Sequence, residues 1–181
     1  MQGVPASLDL VPALSRPDLL GPPVAQALAA FAHADRVRVA AIDPALADTA
    51  AMTEAYAVPL AASANCVVVM GRRDGQERIA ACLVRADTRA DVNTVVKRLL
   101  DVRKASFLDH DRAVAETGME HGGITPVGLP DGWRLLVDAR VVEIPDAVIG
   151  SGIRGSKLAL PGSVVAQLPG AEVVEGLARE G

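Results

Sequence analysis

Two stretches of this chain combine residue types that do chemistry through the backbone rather than through a reactive side chain. In Gly122-Gly123-Ile124-Thr125-Pro126-Val127-Gly128, three glycines let the main chain approach a ligand closely and Pro126 stiffens the loop. Its N–H groups can then point into a pocket without any side chain being desolvated; the same composition also suits a plain tight turn joining a helix to a strand. The second stretch, Ile149 to Leu158, reads IGSGIRGSKL. Here Ser151, Gly152 and Arg154 can wall a pocket, with Arg154 or Lys157 reaching a phosphate. The alternative is a glycine-rich β-turn bearing solvated charges. Conventional reactive groupings are missing: there is no G-x-S-x-G and no Ser, His and Asp grouping in a recognisable context. His33, His110 and His121 show no metal-ligand spacing with one another or with Cys66 and Cys82, so no metal site is expected. Two cysteines are too few for a disulfide framework and read as small core residues.

The rest of the composition narrows the classes. At 181 residues the chain fits one domain with a sizeable core, half of it apolar and dominated by Ala, Val and Leu. Only Trp133, Tyr56, Phe31 and Phe107 carry aromatic rings of the Phe, Tyr or Trp type, too few for the stacking platforms of a single-strand nucleic-acid binder. A net charge of −4 argues against binding duplex DNA, which requires many neutralised phosphates. The basic group Lys97, Arg98, Arg103 and Lys104 still leaves room for contact with one RNA end; solvated helix-face charges are the alternative. With no run of 18 apolar residues and no charged segment leading into an apolar one at the start, no membrane association is expected. The expected setting is cytoplasmic, with reduced thiols.

These stretches must be positioned by a layered α/β arrangement. Residues 1–20, with Pro5, Pro12 and Pro17, read as an irregular leader that packs late or frays; residues 21–181 form the domain. Pro22-Pro23 opens a helix through Ala32 with Val24, Leu28 and Phe31 on one stripe. Arg36 to Ile42 alternates as a strand, and Asp48 or Thr49 caps a helix ending near Val58-Pro59. NCVVVM and RIAACLV flank the Asp74-Gly75 turn signal and form a hairpin covered on both faces. Thr88 and Asp91 are the capping signal for a helix whose stripe is Val92, Val95, Val96 and Leu99. KASF is a short strand, a helix runs from about Asp109 to Gly118, and Met119 to Pro130 is irregular. Strands follow at Arg134 to Asp138, Ala147 to Gly150 and within SKLAL. Pro161 starts a last helix, and AEVVEG is the closing strand.

In this order, NCVVVMG, ERIAACLVRAD, RKASF, TGMEHGGITPVGLP, LLVDA and IGSGIRGSKLAL resemble the YbaK/EbsC (ProX-type) aminoacyl-tRNA deacylase family, related to the editing insertion domain of prolyl-tRNA synthetases. The resemblance covers roughly residues 45 to 176, and its strongest element is Gly122 to Gly128, similar to the family's GxxxP loop. It implies a single α/β domain with a mixed β-sheet curled into a barrel-like core flanked by helices. It implies hydrolysis of the ester joining a wrong amino acid to the 3′ end of a tRNA, with aminoacyl-tRNA as partner and no metal or organic cofactor.

That resemblance assigns roles. An aminoacyl ester is already activated, so its hydrolysis needs a placed water, oxyanion donors and a selective shape. Gly122, Gly123, Thr125 and Pro126 belong to the loop expected to bind the oxyanion and carbonyl, with Gly128 at its end. Asn65 occupies the strand position where many members of the family carry a lysine that contacts the substrate, and it keeps hydrogen-bonding capacity without charge. Lys104 or Arg154 is a candidate compensating cation. Ser106 either lines the site or is a buried strand serine. Asp138 either belongs to the site, where the family often carries an acid, or caps the next segment. Ser151 and Gly152 form a second wall. The alternative to an editing hydrolase is a non-catalytic module of the same fold that binds a tRNA end or an aminoacyl ligand.

Overall fold

The computed structural model describes residues 8–181. The hairpin is the centre of the molecule. β3 (Ala64–Arg73) and β4 (Gln76–Arg85) pair antiparallel over their full length, turning at Asp74 and Gly75, both with positive φ (51° and 78°). That is the geometry whose twist matches two right-twisted strands. β4 is buried on both sides, as its continuous apolar run requires. Ala81 and Leu83 face one apolar cluster, and Ala80, Cys82 and Val84 face another. β7 (Arg134–Asp138) lies parallel to β4 and repeats the alternation, with Leu135 and Val137 on the first side and Leu136 on the second.

Two further strands complete this five-stranded mixed sheet. β6 (Ala105–Phe107) pairs with β3, and β10 (Ala171–Val174) lies parallel to β7. A second, antiparallel sheet has the order β1-β2-β9-β8: β1 (Val11–Pro12), β2 (Arg38–Ala41), β9 (Ser156–Leu160) and β8 (Ala147–Gly150). One parallel bridge, Ser63 to Val148, joins it to the first sheet beside the start of β3. The two sheets curl around the larger cluster without closing a barrel. α1 (Pro22–Ala29) plugs that cluster with fully buried Val24 and Leu28, each stabilising the fold by about 1.5–3 kcal/mol.

The remaining helices form where their signals stand. Asp48 precedes α2 (Thr49–Tyr56), and the Asp109 side chain accepts from the Arg112 N–H at the start of α4 (His110–Thr117). α4 ends at Gly118 in the left-handed conformation, φ 68°. α5 (Ala139–Val142) and α6 (Gly162–Val165) are single turns.

Four expectations change. Residues 8–20 are not a fraying leader: Leu8, Ala13 and Leu20 are buried, β1 pairs with β2, and the Ala13 N–H donates to the Val37 carbonyl. Residues 1–7 lie outside the described part. Thr88 does not cap a helix; it sits in β5 (Thr88–Ala90), its hydroxyl donating to the Arg85 carbonyl, while Asp91 alone caps. The helix after Asp91 begins as a π-turn, Val92–Val96, before α3 (Lys97–Leu100). Its wider winding buries Val92, Val96 and Leu100 and leaves Val95 and Leu99 half-buried. Finally, AEVVEG is β10 but does not close the fold; β11 (Ala178–Glu180) does, pairing with β5.

Candidate functional site

Asn65 stands at the start of β3, where the two sheets meet. Its Oδ1 accepts a hydrogen bond from the Thr49 hydroxyl at the first turn of α2 (2.8 Å). That contact fixes the amide and leaves its Nδ2 hydrogens with no acceptor among the described residues. The side chain lines a cleft of about 360 Å³ whose polar wall also includes Asp48, Thr49, His110, His121, Gly122 and Lys157. Ala47, Cys66, Val67, Ile124 and Gly150 supply the apolar and small surfaces. A few convergent polar groups in a concave apolar setting are the usual makeup of a ligand site.

The two glycine-rich stretches meet here, and they bind each other. The Glu120 N–H donates to the Gly152 carbonyl (2.9 Å), the Gly152 N–H to the Gly123 carbonyl (2.7 Å) and the Gly123 N–H to the Glu120 carbonyl (2.9 Å). The Arg154 N–H donates to the Glu120 carboxylate, while the Arg154 guanidinium holds the His121 and Pro44 carbonyls (both 3.1 Å). Most of these glycines make room for backbone rather than for ligand. A Cβ on Gly123 would stand 2.8 Å from the Ile153 main chain, and one on Gly150 2.8 Å from the Gly123 and Ile124 oxygens. Gly152 lies against Gly21 and Val24, and Gly128 against the Pro23 carbonyl.

Gly122, exposed and at φ 82°, faces the cleft; its N–H and that of Ile124 have no acceptor among the described residues. Thr125 is fully buried and its hydroxyl has no partner among the described residues, while Pro126 and Gly128 turn away to line a different cleft of about 580 Å³ beside Phe31, His33, Asp131 and Trp133.

The other candidates separate. Ser151 is fully buried, bonded to the Ile153 and Ser156 carbonyls and the Ser156 hydroxyl, so it holds the turn together. Asp138 adopts the capping alternative: its carboxylate accepts from the Arg140 N–H (2.9 Å) and the Ala178 N–H (2.8 Å) inside the core. Lys104 and Ser106 are exposed near the far end of β3, and Ser106 is not a buried strand serine because β6 is an edge strand. Arg103 lines a shallow pocket with Arg72, Arg73 and Asp74 at the hairpin tip, remote in the fold from Asn65.

Sequence reasoning missed three contributors. His110 and His121 meet edge to face with ring centroids 4.7 Å apart, although eleven positions and a helix separate them. Only the place of His121 directly before Gly122 hinted at this. Asp48 reaches the cleft because α2 starts beside it without a side-chain capping bond. Lys157, noted for its phosphate reach, lies in the same cleft as Asn65; burial and neighbouring Arg154 lower its pKa, with Asp48 opposing.

Cys66 and Cys82 sit on opposite faces of the hairpin, since Cys66 pairs with Leu83 and Val67 with Cys82. Burial pushes both thiols up, that of Cys82 to about 12, so neither offers a thiolate near neutral pH. Among the described residues no group of three or more His, Cys, Asp or Glu is placed to hold a metal ion, and no helix is long and apolar enough to cross a membrane.

Comparison with known proteins adds the family. A family model, the aminoacyl-tRNA editing domain, matches residues 43–168, a span that contains the whole polar cleft. Among solved structures, a protein proposed as a trans-editing enzyme for prolyl tRNA synthetase superposes with a TM-score of 0.73 at 18% identity, covering 88% of this chain and 96% of its own. A scaffold protein used for computational epitope grafting gives 0.74 at 19%, covering 89% and 97%. The hypothetical protein APE2540 gives 0.70 at 20%, covering 79% and 91%. At such identities these likenesses establish the fold. No curated protein matches.

Proposed function

The chain belongs to the aminoacyl-tRNA editing domain family, and on that premise we propose that it is a trans-acting deacylase that hydrolyses the ester between a wrong amino acid and the 3′-terminal ribose of a tRNA. The observation that carries this reading is the convergence of Asn65, Gly122 and Ile124 on one cleft with their N–H donors unpaired among the described residues.

In this reading the ester carbonyl enters between the loop and β3. The Gly122 and Ile124 N–H groups face the oxygen on which negative charge develops, where fixed donors cost no reorganisation. The Asn65 amide, held by Thr49, orients the acyl group from the other side. Water attacks the carbonyl carbon and the bond to the ribose oxygen breaks. The free hydroxyl of the substrate's own ribose relays one proton of that water to the leaving oxygen, the other passes to solvent, and the amino acid leaves as a carboxylate. The protein contributes placement and donors, which suffices for an ester already activated.

The test is hydrolysis of a panel of mischarged tRNAs, chiefly alanyl-, cysteinyl- and seryl-tRNA, by the wild type and Asn65→Ala. Turnover confined to one amino acid, reduced about 10- to 100-fold in Asn65→Ala, is expected for the loss of one positioned donor. Absence of turnover above the spontaneous rate overturns the proposal. Saturable binding of an aminoacyl-adenosine mimic without turnover would assign the chain as a non-catalytic binding module instead.

A further inference from the structure

We propose that the larger cleft, the one lined by Phe31 and Trp133, is a binding site for a small organic cation of the quaternary-ammonium class. The inference does not depend on the deacylase reading, since it concerns a different cleft and a different ligand.

Two turns build the walls. At the end of α1 the Phe31 N–H donates to the Leu28 carbonyl (3.1 Å), and the chain leaves the helix through His33. Phe31 and His33 meet edge to face with ring centroids 5.6 Å apart. The second turn is Pro130-Asp131-Gly132-Trp133, closed by the Trp133 N–H donating to the Pro130 carbonyl (3.3 Å), with Gly132 at φ 85°. Aspartate followed by a glycine at positive φ is what such a turn requires. With Leu129, Leu135 and Leu168 these turns bound about 580 Å³, inside the range of small-molecule sites. The wall from Ala27 to His33 precedes the matched editing-domain residues, 43–168.

The rings are concentrated here. The chain has four Phe, Tyr and Trp side chains, and two of them line this one cleft. Among the described residues Trp133 makes no ring contact with Phe31 or His33, so the rings do not fill the space by stacking on one another. Their faces carry the negative part of the ring quadrupole, and indole is the strongest of the three side chains in holding a cation.

The charges agree in sign with the rings. Asp131 lines the cleft, and its carboxylate has no ion-pair partner among the described residues. No lysine or arginine is among the lining residues. Ala27 and Ala30, at the C-terminal end of α1, form part of the wall, and that end is the negative pole of the helix dipole. Rings, carboxylate and helix end all favour a cation and disfavour a phosphate. The apolar flank of Leu129 and Leu168 suits methyl groups better than the water shell of a metal ion. The Trp133 indole N–H and the Gln167 amide, without partners among the described residues, can bond a polar tail. A neutral nucleobase would use the rings but neither the carboxylate nor the helix end.

Trp133 is the chain's single tryptophan, so indole fluorescence reports this cleft alone. It is titrated with choline, with 3,3-dimethylbutan-1-ol, the neutral carbon isostere of choline, and with adenosine. His33 is the one lining side chain able to become a cation, so the titrations are run at about pH 8, above the ordinary range of imidazole titration. Phe31→Leu and the exposed Asp131→Asn both keep the fluorophore, and their melting temperatures show that they fold. The wild type is expected to bind choline with a Kd of about 1 mM or below, and its isostere at least about tenfold more weakly. Each substitution should weaken choline about 3- to 10-fold, and Asp131→Asn should leave the isostere unchanged. Equal affinity for choline and its isostere overturns the proposal, as does choline binding that ignores both substitutions or is absent altogether. Preference for adenosine also overturns it and makes the cleft a nucleobase site. Choline binding by a chain that hydrolyses no mischarged tRNA would sustain this inference and remove the deacylase reading; hydrolysis without choline binding would do the reverse.

Discussion

The molecule has two clefts that share one wall, the segment from Gly122 to Gly128, and they differ in what that wall gives them. The larger, about 580 Å³, receives Pro126 and Gly128 beside Phe31 and Trp133, with His33, Asp131 and Gln167 at its edge. The smaller, about 360 Å³, receives Gly122 and Ile124, whose N–H groups have no acceptor among the described residues, together with Asn65, His110, His121 and Lys157. Volume alone points to the first. Polar groups whose hydrogen-bonding capacity is unspent point to the second, because such groups are costly unless something binds them.

The comparison breaks most severely if the shared wall is displaced. Gly150→Val would press a side chain onto the Gly123 and Ile124 carbonyls, which are backbone and cannot swing away. A loss of about 3 kcal/mol in denaturant unfolding is expected, together with loss of activity, as overpacking at a rigid contact requires. Stability within error of the wild type would mean that the two loops can separate, and the shared-wall account would fail.

The two clefts can next be separated by activity. Asn65→Ala in the smaller cleft should lower hydrolysis at least about tenfold, whereas Trp133→Leu in the larger should leave it within about twofold. The opposite ranking would transfer the chemistry to the larger cleft.

Thr125 lies between them, fully buried, its hydroxyl without a partner among the described residues. Thr125→Val keeps the shape and removes a group deprived of water, so it should stabilise the fold by about 1 kcal/mol and leave hydrolysis unchanged. A large fall in kcat instead would give that hydroxyl a catalytic role.

The smallest effect concerns the support of the polar cleft from behind. Arg112 in α4, the helix that carries His110, grips Glu77 with two hydrogen bonds (2.8 and 2.7 Å) and holds its carboxyl near about 2, well below its ordinary 4.5. A depressed carboxyl pKa stabilises the fold above the unfolded-state value, and that contribution is lost as the pH falls from about 4.5 toward 2. Glu77→Gln should therefore lower the melting temperature slightly at pH 7 and not at pH 2, a difference read by thermal melts across that window. The pair is partly exposed, so the shift is small.

What was legible in the sequence was local. Asp74-Gly75 specifies its hairpin because positive φ at both positions matches the strand twist, and the residues that follow alternate apolar faces at the period of a strand. Asp109 and Gly118 bound α4 for equally local reasons, since a cap is a bond between near neighbours. The glycine loop was visible for the same reason, and with the family resemblance it led to the editing fold.

Tertiary structure alone decided which of those glycines lines the polar cleft and which meets another loop, because a Cβ clash depends on what lies across the gap, not on the residue's own sequence. It also docked residues 8–20 through buried Leu8, Ala13 and Leu20 and the pairing of β1 with β2, bound Asp138 to the distant Ala178 N–H, and gathered Asn65, His110, His121 and Lys157 into one cleft. Such convergence leaves no periodic trace. Asn65 and Lys157 belong to different sheets and meet only because β8 docks beside the start of β3, a contact specified by the packing of the whole core.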